Sequence, residues 1–90
     1  VPHIGWNQVF PLAEHPIFDS IEPGDYAYFV HSYHPVPTDP SLILATTEYG
    51  EPFPSICGRD NIIGIQFHPE KSQRTGLTML GNFARWAGIG

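Results

Sequence analysis

Positive charge is scarce in this sequence. It contains 4 Lys and Arg residues against 9 Asp and Glu residues, which gives a formal net charge of −5 at pH 7. Binding to nucleic acid or to an anionic membrane surface requires clusters of basic side chains. We therefore expect a chain that binds neither nucleic acid nor a membrane.

Long apolar runs and paired cysteines are also missing. The apolar stretch 62–65 is interrupted by Gly64 and is far too short to cross a bilayer. No segment near Val1 has the charged-then-apolar pattern of an export signal. Cys57 is the only cysteine, so an internal disulfide is excluded and no oxidising compartment is implied. These features favour a soluble cytoplasmic protein.

The length of the chain allows one small compact unit. With 90 residues and 41% hydrophobic content, the chain is at the lower end of the size that buries a self-sufficient core. It begins with a dense run of apolar and turn-forming residues, without an initiating Met or a polar lead-in of the kind common at true termini. We expect it to be part of a longer protein.

The order of apolar runs predicts several short strands followed by one helix. Runs rich in β-forming residues are separated by Pro, Gly and Asn, which favours antiparallel neighbours. The last of these runs, 62–67, is apolar on both faces of the predicted strand, so we expect it to be a central strand. The predicted strands are Ala27–Val30, Leu42–Tyr49, Phe53–Cys57 and Ile62–Phe67.

The C-terminal segment from about Arg74 to Ala87 has the apolar spacing of an amphipathic helix. Gly88 would end this helix. We expect one apolar stripe to pack on the sheet. That stripe consists of Leu77, Leu80, Phe83, Ala84 and Ala87.

The segment His68-Pro69-Glu70 carries the chemistry of interest at the end of the last predicted strand. Pro69 disfavours the helical conformation at His68, so we expect an extended backbone on which the side chains of residues 68 and 70 meet. A carboxylate that accepts one imidazole N–H leaves the other ring nitrogen available as a general base. The alternative is a structural hydrogen bond on the surface, and the pair alone does not separate the two.

The residues around this pair resemble a known family. The run 64–72, Gly-Ile-Gln-Phe-His-Pro-Glu-Lys-Ser, closely resembles the motif that holds the catalytic His and Glu of class I, or triad, glutamine amidotransferases. Four further segments resemble, in the same order, the glutaminase subunits of imidazole glycerol phosphate synthases. These segments are 2–7 (Pro-His-Ile-Gly-Trp-Asn), 28–33 (Tyr-Phe-Val-His-Ser-Tyr), 47–50 (Thr-Glu-Tyr-Gly) and 76–83.

The resemblance implies an α/β fold of the flavodoxin-like class I type. It covers residues 1–90 as the C-terminal portion of a single amidotransferase domain, with mostly antiparallel strands and one C-terminal helix. The family's nucleophile lies in a Gly-x-Cys-x-Gly turn that should precede Val1, and no such turn occurs in this sequence. We therefore expect this chain alone to be inactive.

The resemblance also implies the activity and the partner. A cysteine thiolate would attack the side-chain amide of glutamine, and His68, oriented by Glu70, would transfer the proton that lets ammonia leave. The ammonia would pass to a barrel-shaped synthase subunit or domain for histidine biosynthesis. The amidotransferase domains of anthranilate, GMP and carbamoyl phosphate synthesis are alternatives, and so is a non-catalytic module that binds a synthase.

Other residues have a role implied by the same resemblance. Ser32 and Tyr33 would contact the amino-acid end of glutamine, with an ordinary turn as the alternative. Pro2, His3, Trp6 and Asn7 would face the synthase, with core packing of Trp6 as the alternative.

The residues themselves disfavour two further hypotheses for the chemistry. If residues 59–61 form a hairpin turn, Cys57 lies opposite about Ile62, roughly 20 Å along the strand from His68 at about 3.3 Å per residue. Cys57 is therefore predicted to be a small buried side chain and not the nucleophile. His31 and His34 lack a cysteine or carboxylate that would complete a zinc site with His68. We predict neither a metal nor a cofactor.

Overall fold

The structure is a computed structural model that describes residues 3–31, 39–59 and 62–87. The described residues form five strands and one α-helix, together with three single-turn 3₁₀ helices. Their bounds are His3–Pro11 (β1), Asp25–His31 (β2), Ile43–Tyr49 (β3), Glu51–Arg59 (β4), Ile62–Ile65 (β5) and Gln73–Ala87 (α1).

The five strands form one antiparallel sheet in the order β2-β1-β3-β4-β5. The turn between β3 and β4 has Gly50 at φ 78°, a left-handed conformation that glycine adopts without a steric penalty. Strands β2, β3 and β4 lie where the sequence predicts them. The predicted architecture of mostly antiparallel strands followed by one helix is confirmed.

Strand β1 was not predicted, because its pattern is the reverse of the usual one. Ile4, Trp6 and Phe10 are all exposed, while Val9 is fully buried. The strand also contains Gly5 at a positive φ. Alternation is therefore present, but large apolar side chains point outward, and the usual apolar-in, polar-out signal is lost.

The two ends of the sheet meet, so the sheet is curled. Beyond β5, Phe67 forms an antiparallel bridge with Phe29 of β2. The backbone N–H of His68 donates a hydrogen bond to the carbonyl of Tyr28 at 2.9 Å. A segment that follows the last strand is thereby attached to the opposite edge of the sheet.

The prediction that Ile62–Phe67 forms a central strand is wrong. Strand β5 ends at Ile65 and lies at one end of the sheet. Ile62 is 70% exposed. The apolar character that indicated burial on both faces instead produces an exposed apolar edge within the part of the chain that the structure describes.

The core is grouped around Phe29, which is fully buried. The ring of Phe29 makes edge-to-face contacts with Phe53 at 5.8 Å and with Phe67 at 5.5 Å between centroids. Such contacts add to the stabilisation from apolar burial. The other buried apolar residues are Val9, Ile17, Ile21, Ala27, Leu44, Ala45, Ile56 and Met79.

The helix is where the sequence predicts it, but its predicted apolar stripe is only partly correct, since Phe83 packs against the core while the buried face lies elsewhere. The buried residues of α1 are Thr75, Gly76, Met79 and Asn82. Leu77 and Leu80 are 65% and 44% exposed. The predicted end at Gly88 lies outside the described residues.

Polar contacts explain which face of α1 is buried. The side-chain amide of Asn82 donates to the carbonyls of Ile17 and Asp19 at 2.8 and 2.7 Å. Gly76 lies so close to Pro69 that a Cβ atom there would overlap the carbonyl oxygen of Pro69. The helix therefore presents small and polar residues inward together with Met79.

In the ranges 3–31, 39–59 and 62–87, no helix has the length and apolar character needed to span a membrane.

Candidate active site

His68 lies in the segment that connects strand β5 to helix α1. Its backbone is extended, with φ −93° and ψ 102°, and it precedes the 3₁₀ helix Pro69–Lys71. A proline at the first helical position has a preset φ and no N–H to leave unpaired. Our expectation of an extended backbone through residue 70 is therefore wrong beyond His68, because Pro69 begins a tight turn instead.

The imidazole and the carboxylate nevertheless meet across this turn. His68 Nδ1 lies 2.9 Å from Glu70 Oε1. The two side chains are 43% and 61% exposed. An ionised carboxylate only accepts hydrogen bonds, so in the neutral imidazole Nδ1 carries the proton and Nε2 has a free lone pair.

This arrangement can take up and release a proton. Glu70 fixes the ring and its tautomer, so Nε2 is the nitrogen that takes up and releases the proton. No partner of Nε2 is present among the described residues, and the ring is partly open to solvent. The contact needed for His68 to act as a base oriented by Glu70 is present. The catalytic roles of both residues stay predictions.

Helix α1 packs closely against the 3₁₀ turn at Pro69. Gly76 contacts the backbone of Pro69, which brings the first turns of α1 against the 3₁₀ helix. Ser72, at the end of that helix, is buried and hydrogen-bonded to the backbone of His68. The sequence motif includes Ser72, but its role depends on a contact with β2 that no local pattern reveals.

The residues expected to bind glutamine, Ser32 and Tyr33, lie outside the described residues, as does Pro2 of the expected partner interface. His3 pairs with His31 in the β1–β2 ladder.

Trp6 and Asn7 of the expected partner interface lie on β1. Trp6 is 47% exposed, and its ring contacts Tyr28 edge to face at 5.6 Å between centroids. Within the described residues, Trp6 is therefore not a core side chain. Asn7 Nδ2 donates to the carbonyl of Glu48 at 2.8 Å, so the amide ties β1 to the end of β3.

Cys57 is close to β5 but is not a partner for His68. It pairs with Gly64, not with Ile62 as expected, because β4 extends to Arg59 and that residue pairs with Ile62. Four residues still separate Gly64 from His68, roughly 13 Å at about 3.3 Å per residue, beyond proton transfer. Burial raises the pKa of the Cys57 thiol, which disfavours the thiolate.

The described residues contain no cluster of three His, Cys, Asp or Glu side chains that could hold a metal ion. An open groove of about 770 Å³ lies apart from the candidate site, between the segment 11–23 and the end of α1. His15, Phe18, Arg85 and Trp86 are among its lining residues. None of the predicted site residues that the structure describes lines this groove.

Comparison of the sequence with known proteins identifies the family of this chain. The family model of class I glutamine amidotransferases matches residues 1–86, and the chain therefore belongs to that family. A protein of Salinibacter ruber described as imidazole glycerol phosphate synthase subunit HisH is 56% identical over 84 residues, which are 93% of this chain and 38% of that protein.

Two further proteins with the same description are similar to this chain. The protein of Ruegeria pomeroyi is 56% identical over 86 residues, which are 96% of this chain and 41% of that protein. The protein of Aquifex aeolicus is 52% identical over 87 residues, covering 97% and 42%. The chain thus spans about two fifths of the length of the curated relatives that it matches.

Proposed function

We propose that this chain is the part of a glutaminase that handles protons during the hydrolysis of glutamine to glutamate and ammonia. The observation that supports this most directly is the contact between His68 Nδ1 and Glu70 Oε1 at 2.9 Å, in a member of the class I glutamine amidotransferase family. The contact orients Nε2 and leaves it open to a reacting group.

In this mechanism the nucleophile is a cysteine thiolate supplied from outside the present sequence. His68 Nε2 takes the thiol proton, and the thiolate attacks the side-chain carbonyl carbon of glutamine. The resulting imidazolium gives its proton to the departing nitrogen, so ammonia leaves and a glutamyl thioester remains. Water, deprotonated by the same ring, then hydrolyses the thioester.

We propose that residues 1–90 are the C-terminal portion of one amidotransferase domain and are inactive alone. The relatives are more than twice as long as the matched segment. Apolar surface is exposed on α1 at Leu77 and Leu80 and on β5 at Ile62. An apolar groove of about 180 Å³ lies between β5 and α1. Its lining residues are Ile63, Ile65, Met79, Leu80 and Phe83. Such a surface is typical of an interface with further chain.

For the pathway, we propose histidine biosynthesis in the cytoplasm, with imidazole glycerol phosphate synthase as the complete enzyme. The similar proteins described as HisH support this choice over the other amidotransferase pathways. The interface with a barrel-shaped synthase would include Trp6, whose exposed ring on Tyr28 suits an aromatic anchor, together with Pro2, His3 and Asn7. Ser32 and Tyr33 would contact glutamine.

The proposed function is tested by substitution in the full-length parent protein, assayed for glutamate and ammonia with the synthase present. His68→Ala should lower turnover by about 10²- to 10⁴-fold, the usual contribution of a positioned general base. Glu70→Ala should lower it less, because the ring remains but its orientation is lost.

Glu14→Ala is the matched control for Glu70→Ala, because Glu14 is also exposed and lies in the separate groove. Its turnover should equal that of the unsubstituted protein. Residues 1–90 alone should release no ammonia. Undiminished turnover in the His68→Ala protein would remove the assignment of the base.

A further inference from the structure

The hydrogen-bond ladder between β2 and the segment around His68 contains an inserted side chain. Phe29 and Phe67 are bridged, and the next pair along the ladder is Tyr28 with His68. His68 N–H donates directly to the Tyr28 carbonyl at 2.9 Å. In a regular antiparallel pair, the Tyr28 N–H would donate back to the His68 carbonyl.

The hydroxyl of Ser72 takes the place of that second bond. Tyr28 N–H donates to Ser72 Oγ at 2.9 Å, and Ser72 Oγ donates to the carbonyl oxygen of His68 at 2.6 Å. A hydroxyl is both donor and acceptor, so one oxygen can bridge an N–H and a carbonyl that are too far apart to bond directly. The pair is completed through a side chain four residues further along the chain.

Local geometry explains why the hydroxyl of residue 72 reaches this gap. Pro69 turns the chain away from β2 and begins the 3₁₀ helix, which the bond from Ser72 N–H to the Pro69 carbonyl at 3.1 Å closes. This turn brings residue 72 back beneath His68. Ser72 is 1% exposed, so no bulk water replaces its hydroxyl.

Packing does little to hold the catalytic pair itself. The side chains of His68 and Glu70 are 43% and 61% exposed, and thus the turn that carries them depends on its backbone hydrogen bonds. The carbonyl of His68 accepts bonds from Lys71 N–H at 3.1 Å and from Ser72 Oγ. Glu70 therefore lies inside a turn that runs from His68 to Ser72. The hydroxyl of Ser72 joins the two ends of this turn to each other and to β2.

We propose that Ser72 is a positioning residue for the proton transfer by His68, because its hydroxyl fixes the backbone of that residue relative to β2. This inference rests on the proposed function of the His68–Glu70 pair. Loss of the hydroxyl leaves the Tyr28 N–H and one bonding direction of the His68 carbonyl unsatisfied. The turn then relaxes, and the ring moves from the position that the reaction requires.

The test compares Ser72→Ala with the unsubstituted full-length protein in the presence of the synthase. Turnover should fall by about 10- to 100-fold with KM for glutamine nearly unchanged, because a small displacement of a catalytic group affects the reaction more than binding. The acidic limb of the pH–rate profile should shift, and the NMR signals of the His68 ring nitrogens should move.

Two further variants separate positioning from general stability. Ser55→Ala removes a hydroxyl that is also fully buried but has no hydrogen-bond partner among the described residues, and its turnover and pH profile should be unchanged. Ser72→Cys keeps the size of the side chain with a weaker donor and acceptor. Its turnover should be intermediate between that of Ser72→Ala and that of the unsubstituted protein.

The outcomes distinguish this inference from the proposed function. If His68→Ala abolishes turnover while Ser72→Ala keeps the turnover, pH profile and ring signals of the unsubstituted protein, the positioning role is wrong and the function stands. If His68→Ala is fully active, the proposed function itself fails. Where Ser72→Ala yields no folded protein, Ser72→Cys decides, and unsubstituted turnover in that variant overturns the positioning role.

Discussion

At the scale of single residues, two histidines of this chain use the same ring nitrogen for opposite purposes. His68 Nδ1 carries a proton towards Glu70, whereas His15 Nδ1 accepts the N–H of Ile17 at 3.1 Å and caps the 3₁₀ helix Pro16–Phe18. Protonation preserves the first contact, because Nδ1 is the donor in both forms of the ring. It abolishes the second, because a protonated ring has no acceptor.

The stability of the protein should therefore depend on His15 below neutral pH. Burial lowers the pKa of His15 below its ordinary 6.5, so the unfolded chain binds the proton more readily. The contribution of the neutral ring is complete above about pH 6.5 and is lost as the pH falls through the lower pKa of the folded state. Denaturant unfolding measured between pH 7.5 and 5 should show this decline.

His15→Asn is the informative variant for that experiment, because an amide oxygen accepts the same N–H and does not titrate in this range. The variant should lose part of the pH dependence and keep most of the stability at pH 7.5. An identical slope in both proteins would show that His15 is not the group responsible.

At the scale of elements, the close contact of α1 with the turn at Pro69 links the helix to the candidate site. Of the two glycines inside α1, only Gly76 touches that turn. A Cβ at Gly76 would overlap the Pro69 carbonyl, whereas a Cβ at Gly81 would come no closer than 3.5 Å to the end of the Arg85 side chain. The same substitution should therefore have opposite effects at the two positions.

Gly76→Ala should destabilise the protein by at least about 2 kcal/mol, since overpacking against the Pro69 backbone forces the helix away from the 3₁₀ turn. Gly81→Ala should stabilise it by about 0.5–1 kcal/mol, the difference in helix propensity. Thermal or denaturant unfolding measures both. Equal effects at the two positions would contradict the described packing of α1 on Pro69.

What the sequence could predict at this scale follows from the range of the interactions involved. The positions of β2, β3, β4 and α1 follow from local propensity and turn residues, and those predictions are confirmed, although β2 and β4 extend beyond their predicted ends. The buried face of α1 does not, because Asn82 is buried through carbonyls at Ile17 and Asp19, more than sixty positions away. The contact between His68 and Glu70 was predictable because both residues lie within one turn.

At the scale of the whole molecule, apolar side chains are exposed on α1 and on β5. Leu77, Leu80 and Ile62 are exposed, and the edge of β5 opposite β4 pairs with no strand among the described residues. Exposed strand edges invite pairing with other chain segments. The proposal that further chain of the parent covers this surface predicts different behaviour for the segment alone and for the full-length protein.

Leu77→Ala and Leu80→Ala should each change the free energy of unfolding of residues 1–90 by less than about 0.5 kcal/mol, as at exposed sites. In the full-length protein each should cost about 2–5 kcal/mol, as for a buried leucine. Met79→Ala is the matched control, because Met79 is 1% exposed within the chain itself and should be costly in both. Mild effects of the leucine variants in both proteins would refute coverage of this face.

The bridge between Phe29 and Phe67 also bears on the order in which the chain folds. The β3–β4 and β4–β5 hairpins join neighbouring segments and form quickly, whereas joining residue 29 to residue 67 requires closure of a long loop and loses more chain entropy. His68 is attached to Tyr28 only when that closure is complete. A chain halted before this step would contain most of its strands but no organised proton-transfer site, so the appearance of enzymatic competence during refolding should trail the recovery of β-structure.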